Sequence, residues 1–499
     1  MHFLIPIYRA SIALVLTVFL FACSDSSDNN KPDQTTLPVS NPLVTLPPET
    51  GAISLLAQNF DLGEVGYEQF EFFLEGTATA FTNTSELGRD GFWAVEPAQQ
   101  ADYRTRIVVY RPIDASAFNG NVLVEWLNVT AGFETPPSWG TGQLEMRRGG
   151  SVWVGVSAQL VGIEGSDRGL PLPLYLKAVD PARYGSLVHP GDSFSYDIFS
   201  QVAQALRNPD GIAPLAGLDV EHLIAYGESQ SAGRLVTYIN AVHPLYRPYD
   251  GYMVHSRGDG ASALAQEPLA EIATPSGALI RTDIDVPVLS FETETDVVLL
   301  EFEKARQPDT DMIRAWEVAG TAHGDLYTFV TGRDDTEGDP VFASVVEETS
   351  VLGFISCDRP LNNGPQHYVF NRGVRALNDW VNDGTLPPTS PQLILNDDGS
   401  DYLYDDLGNA LGGIRSPYVD APSAVLLGDA NSGNGFCFLF GSTSLFSAEQ
   451  MASLYVDQAG FVQAVTEATE AAVAADFLLR EDADAIIEWA PRQWDFQVP

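Results

Sequence analysis

The sequence predicts an α/β protein built on a mostly parallel central sheet, with antiparallel strands at its N-terminal end and a long C-terminal extension. Three observations carry this. Short, nearly continuous apolar runs bounded by glycine, "GNVLVEWLNV" and "SVWVGVSAQ", read as strands buried on both faces. Segments of helical period, such as "YDIFSQVAQALR", lie between the strand patterns. From Gly120 to His323 strand and helix patterns alternate, as βαβ units require.

The elements follow in chain order. Arg9 precedes an apolar run, Ala10 to Ala22, too short and wrongly flanked for a membrane span and suited to an export signal. It ends Leu20-Phe21-Ala22-Cys23, which resembles the lipobox of bacterial lipoproteins. That resemblance implies removal of residues 1–22, lipidation of Cys23 and, with Ser24 following, anchoring in the outer membrane. Residues 23–50 are polar and proline-dotted and read as a disordered tether. The domain is expected over 51–499, with a catalytic core to about 335 and an extension over 336–499.

Within it, "QFEFFLEGTATAF", "GFWAVE" and "YRTRIVVYRP" alternate as strands do. Further strands are expected at "EHLIAYG", "YDGYMVHS", "VPVLSFETETD" and "IRAWEVAG", and helices at "AGRLVTYINAVH" and "VVLLEFEKARQ". Beyond His323, "HYVFNRGVRALNDWVNDG" is a helix stopped at Gly384, and "DYLYDDLGNALGGI" a hairpin turning at Leu407-Gly408-Asn409. The stretch from Ser447 to Ala490 is again helical.

The chain is strongly acidic, with a formal net charge of -41. Such a surface repels nucleic acid and anionic membranes, so contact with a membrane is expected through the lipid anchor only. With Cys23 lipidated, Cys357 and Cys437 remain, and in an oxidising compartment such a pair is expected as a disulfide. They stand far in sequence from the chemical motifs. No Cys/His cluster of zinc type and no phosphate-binding loop occurs, so neither a metal nor a cofactor is expected. "NDDGSDYLYDD" is rich in oxygen ligands, but Gly399 is misplaced for a calcium loop and a solvated hairpin is expected.

The chemistry concentrates at "AYGESQSAGR". A nucleophile elbow needs small residues two before and two after its serine, and both Ser229 and Ser231 meet that rule. The strand "HLIAY" runs directly into Gly227, which puts the sharp turn at Ser229. An acid past a later strand and a histidine past the next complete the order nucleophile, acid, base. Asp296 ends "VPVLSFETETD", with Glu292 and Glu294 as alternatives on the same strand face, and His323 lies in the loop "GTAHGD". His367 is the rival base. The oxyanion donors are expected at the Gln230 N–H and at the N–H of Asn128 or Val129. Of the aromatics near that loop, Trp126, Phe133, Trp139 and Trp153, one or two are expected to line a pocket and the others to be core.

Taken together, "VLVEWLNVTAGFE", "GESQSAGRLVTYINAVHPL", "HSRGDGA", "VPVLSFETETDVV", "RAWEVAGTAHGD" and "GPQHYVFNRGVRALNDWV" resemble the bacterial alpha/beta hydrolase domain proteins with a GxSQS elbow. The resemblance implies the α/β-hydrolase fold and a serine hydrolase, with its roles falling on Ser229, Asp296 and His323. The expected reaction is cleavage of a small or polymeric carboxylic ester through an acyl-enzyme, its activity rising through roughly pH 6–8 as the histidine loses its proton. An amidase or peptidase would use the same residues. A surface-binding lipoprotein on an inactive hydrolase scaffold is the alternative of a different class.

Overall fold

The computed structural model describes residues 36–166, 169–170, 172–353 and 355–499. The expected export signal and Cys23 lie outside the described residues. At the centre stands a ten-stranded sheet made of β1 (Leu43–Thr45), β2 (Tyr67–Asn83), β3 (Val95–Pro112), β4 (Asn121–Trp126), β5 (Val152–Val156), β6 (Asp210–Gly211), β7 (His222–Glu228), β8 (Gly251–His255), β9 (Val288–Thr293) and β10 (Ile313–Val318). Its order is β10-β9-β8-β7-β4-β5-β3-β2-β1-β6. Strands β4, β5 and β7 to β10 are parallel to their neighbours in that group, and the antiparallel β2–β3 pair joins them through β5.

The order is the doubly wound one of an α/β-hydrolase fold, and the burial follows from it. Every residue of β4, β5, β8 and β9 is buried, because helices cover both faces. The principal helices are α1 (Pro137–Arg148), α2 (Ser195–Arg207), α3 (Gln230–Thr237), α4 (Gln366–Asp383), α5 (Ala448–Tyr455), α6 (Gln458–Ala474) and α7 (Arg480–Gln497). Phe199 and Val202 of α2 and Leu235 of α3 share one core cluster with Val124 and Ala225 of the sheet. On the other face, Trp139 and Met146 of α1 and Phe370 and Val374 of α4 pack on Leu123, Ile224 and Phe291. Gly384 ends α4 in a left-handed conformation, as the sequence predicts. Of the four aromatics expected near the β4 loop, Trp126, Trp139 and Trp153 are fully buried core.

Two expectations change. The tether does not reach residue 50. Leu43-Val44-Thr45 adds a strand beside β2 with Val44 buried, and Arg183 binds the carbonyls of Pro48 and Thr50. Apolar and β-branched side chains at 43–45 suffice to extend a sheet edge despite the surrounding prolines. The segment "VVLLEFEKARQ" is not a regular helix: it forms a helical turn over Thr295–Leu299 and a short one over Phe302–Ala305. Glu301 between them has φ 62°, which breaks any continuous helix.

The C-terminal residues pack into the same unit, Leu37–Pro499. Helices α5, α6 and α7 bury Met451, Phe461 and Trp494 against Tyr368 of α4. Two small antiparallel pairs, β11 (Ser350–Val351) with β12 (Ile355–Ser356) and β13 (Ala424–Leu427) with β14 (Ser442–Leu445), complete the region. Cys357 and Cys437 are joined in a disulfide.

Candidate active site

The site begins where β7 ends. Ser229 sits between β7 and α3 with φ 57° and ψ -120°, a conformation that costs an L-residue about 1–3 kcal/mol and is held by its surroundings. A β-carbon on Gly227 would lie 2.8 Å from the Ser231 carbonyl oxygen, so only glycine fits there. The Ser229 N–H donates to the His255 carbonyl on β8 (2.9 Å), pinning the turn to the neighbouring strand. Ser231 lies inside α3, fully buried. The overlapping motifs thus resolve to one sharp turn, at Ser229.

Ser229 Oγ is 2.8 Å from His323 Nε2, and His323 Nδ1 is 2.6 Å from Asp296 Oδ1. The other Asp296 oxygen accepts from the Thr293 N–H and hydroxyl, both at 2.7 Å. Strand parity placed Glu292, Glu294 and Asp296 on one face, but β9 stops at Thr293 and the chain curls into a helical turn. That curl brings Asp296 alone to the histidine. Glu294 instead accepts from the Gly320 and Gly428 N–H groups (2.6 and 2.8 Å), and Glu292 from the Ser290 hydroxyl. His367 is stacked on Tyr327 at 3.5 Å between ring centroids, and among the described residues its ring nitrogens have no hydrogen-bond partner.

For the oxyanion, the Gln230 N–H opens α3 and has no intrahelical acceptor. Of the two expected second donors, Asn128 is excluded: its N–H donates to the Thr135 carbonyl (2.9 Å) in a bridge that closes the loop. Among the described residues no acceptor takes the Val129 N–H. The Asn128 side chain acts as a clamp, donating to the carbonyl and to Oε2 of Glu228 at 3.1 and 3.0 Å. The loop is fixed from behind as well. Glu134 pairs with the fully buried Arg106 at 2.6 Å, and Arg106 pairs with Glu71 at 2.7 Å.

Glu228 was not expected in the site. Its Oε1 lies 3.3 Å from His323 Nε2, the same nitrogen that faces Ser229. Burial raises the Glu228 carboxyl to about 7, with His323 opposing the shift and Asp296 adding to it. For His323, burial acts to lower the imidazole, but Asp296 and Glu228 together outweigh it and raise the group to about 9. His323 therefore becomes neutral well above the range of an ordinary histidine. His255 lies flat on Phe370, and burial drives it down to about 3, so it stays neutral.

A cavity of about 350 Å³ opens onto Ser229, Glu228, His255 and His323. Its walls are largely apolar. Phe133 contributes from the β4 loop, and Leu352, Ile355, Phe436, Leu439 and Phe440 come from beyond residue 336. The disulfide sits among these residues, so the cysteines, distant in sequence, stand beside the site. The same region braces the acid loop: the Tyr402 hydroxyl donates to the Glu294 carbonyl and Thr295 Oγ1 to the Gly428 carbonyl.

The fold and the serine held at its elbow define an α/β hydrolase. Residues 39–488 match the alpha/beta hydrolase domain family, and the chain belongs to it. A comparison with curated proteins gives no match. Among solved structures it is similar to an α/β serine hydrolase without a lid from Xanthomonas campestris, with 11% identity, 53% of this chain and 90% of that chain covered, and a TM-score of 0.27. It is also similar to an esterase of Rhizomucor miehei (13%, 62% and 84%, TM-score 0.29) and to a glucuronoyl esterase of Solibacter usitatus (11%, 57% and 83%, TM-score 0.26).

Proposed function

We propose that the chain is a serine hydrolase of carboxylic esters working through an acyl-enzyme. The observation that carries this is the unbroken contact series Ser229 Oγ to His323 Nε2 (2.8 Å) and His323 Nδ1 to Asp296 (2.6 Å), beginning at a strained serine. In this reading Ser229 Oγ attacks the ester carbonyl as its proton passes to His323 Nε2, while Asp296 holds the Nδ1–H tautomer and the cation that forms. The negative oxygen faces the Gln230 and Val129 N–H groups, each such donor being worth about 3 kcal/mol. His323 then protonates the departing alcohol, the acyl group remains on Ser229, and water repeats the sequence to release the acid.

The cavity supports an ester with an apolar acyl or aryl portion, since its wall is largely apolar and includes phenylalanine, leucine and isoleucine side chains. The lipobox-like Leu20-Phe21-Ala22-Cys23 supports export and a lipid anchor at the outer membrane. Replacing Cys23 by Ala would release the protein from the membrane fraction if that reading holds.

The test is labelling of the purified protein with a fluorophosphonate, followed by peptide mass spectrometry and assay on a panel of esters and matched amides. An adduct on Ser229, absent in Ser229→Ala and strongly reduced in His323→Ala, with ester turnover, is expected. An adduct elsewhere, or a folded protein that neither reacts nor turns over esters, would overturn the proposal.

A further inference from the structure

His323 touches two carboxyl groups, one at each ring nitrogen. Asp296 at Nδ1 belongs to the triad geometry, but Glu228 at Nε2 competes with the nucleophile for the atom that must accept its proton. With the Nδ1–H directed to Asp296, a neutral imidazole presents only a lone pair at Nε2. A carboxylate oxygen 3.3 Å from that lone pair is an acceptor facing an acceptor, which is repulsive unless a proton lies between them. The contact therefore favours the imidazolium, or a protonated Glu228, over the free base. Glu228 cannot swing away at no cost. It is 6% exposed, it ends β7 next to the strained Ser229, and Asn128 Nδ2 holds its other oxygen.

We propose that Glu228 is a positioning residue for the reaction, a second carboxylate that holds the protonated form of His323. Resting on the ester-hydrolase reading, the proposal has two consequences of opposite sign. Before attack, Glu228 retains the proton on Nε2 and moves the onset of activity to alkaline pH. After attack, when the Ser229 proton has reached Nε2, the same carboxylate stabilises the new cation together with Asp296, which raises the rate on the alkaline plateau. No proton passes to Glu228 itself at that pH.

Asp296 raises His323 as well, and more strongly; apart from it, the groups facing the pair do not favour the imidazolium. Around His323 stand Asp296 from the turn after β9, Glu228 from β7 and His255 from β8. His255 is neutral, and any charge on it would act against the imidazolium. Around Glu228 stand His323, Asp296 and, across the sheet, Glu125 of β4, which receives three N–H donors from Ser138, Trp139 and Trp153. Arg333 is the one arginine or lysine lining the cavity among the described residues.

The experiment compares wild type with Glu228→Gln and Glu228→Asp in pH profiles of kcat/KM and kcat on a neutral aryl ester. Active sites are counted by fluorophosphonate titration. In wild type the acidic limb should lie near pH 9, following His323. In Glu228→Gln it should fall by roughly one to three pH units while the plateau kcat drops. Glu228→Asp, which withdraws the charge by one methylene, should lie between. A limb unchanged in both variants would overturn the proposal, since loss of folded enzyme lowers the count of sites without moving a limb. NMR titration of the His323 imidazole in Ser229→Ala, with and without Glu228→Gln, reads the same shift without turnover. An inactive, unlabelled wild type would thus sink the ester-hydrolase reading, and an unmoved imidazole would sink this one.

Discussion

The elbow and the cavity wall are built by opposite means. At the elbow, ten consecutive residues from Ala225 to Arg234 supply a strand end, a glycine with no room for a β-carbon unless the turn shifts, the strained serine and the first turn of α3. The wall beyond residue 336 gathers Leu352, Ile355, Phe436, Leu439 and Phe440 from two segments held together by the Cys357–Cys437 bridge, 80 residues apart. On the proposed reading, reactivity would thus be fixed locally by backbone geometry, whereas the shape that would receive a substrate is fixed by long-range packing and a covalent link. Changes at the elbow should alter the rate for every substrate; changes in the wall should alter which substrate is chosen.

The largest effect should come from the local half. Ser229→Ala should abolish turnover and labelling, and Asp296→Asn should lower kcat by about 10⁴ while leaving the fold intact by circular dichroism. A loss confined to KM would place the chemistry elsewhere. Next comes Gly227→Ala, which drives a methyl group to 2.8 Å from the Ser231 carbonyl oxygen. Displacing Ser229 Oγ from His323 by even an ångström should lower kcat by about 10² on long and short esters alike. Unequal losses across an ester series would break the division drawn above.

The same division explains what the sequence revealed. The juxtaposition of Ser229, Asp296 and His323 was legible because the elbow is written in consecutive residues and the other two follow strand ends in a fixed order. Glu228 was not, although it lies inside the quoted motif. Its importance depends on where His323 arrives from 95 residues downstream, and no local pattern encodes that contact. Asn128 was misjudged for a related reason: its N–H is taken by Thr135, a bridge across a loop whose closure periodicity does not show. The parallel sheet was readable from its apolar runs, whereas the irregular turns after β9 were hidden by residues with good helical propensity on both sides of Glu301. The role of the cysteines in the wall was hidden by their sequence distance from the motifs.

The wall offers two smaller tests. Cys357→Ser with Cys437→Ser opens a long loop and should lower stability by about 4 kcal/mol on the chain-entropy account, read by chemical denaturation. At a temperature where the variant stays folded, KM for bulky aryl esters should rise by about tenfold while kcat for an acetyl ester changes little. A parallel fall in kcat for both would mean that the bridge also supports the elbow.

The smallest and most selective effect is expected at Phe436, which lines the cavity but is only partly buried, so its truncation affects the core less than truncation of buried Phe440 would. Removing the ring enlarges the space open to an acyl chain without touching Ser229, His323 or Glu228. Each methylene accommodated in an apolar pocket is worth about 1–3 kcal/mol of discrimination. Phe436→Ala should therefore shift the ratio of kcat/KM for an octanoyl over a butanoyl ester upward by about tenfold. The pH at which activity appears should not move, because His323, Asp296 and Glu228 keep their contacts. A change in chain-length preference with an unmoved pH limb would place selectivity in the wall and reactivity at the elbow; a moved limb would show that the wall reaches the base.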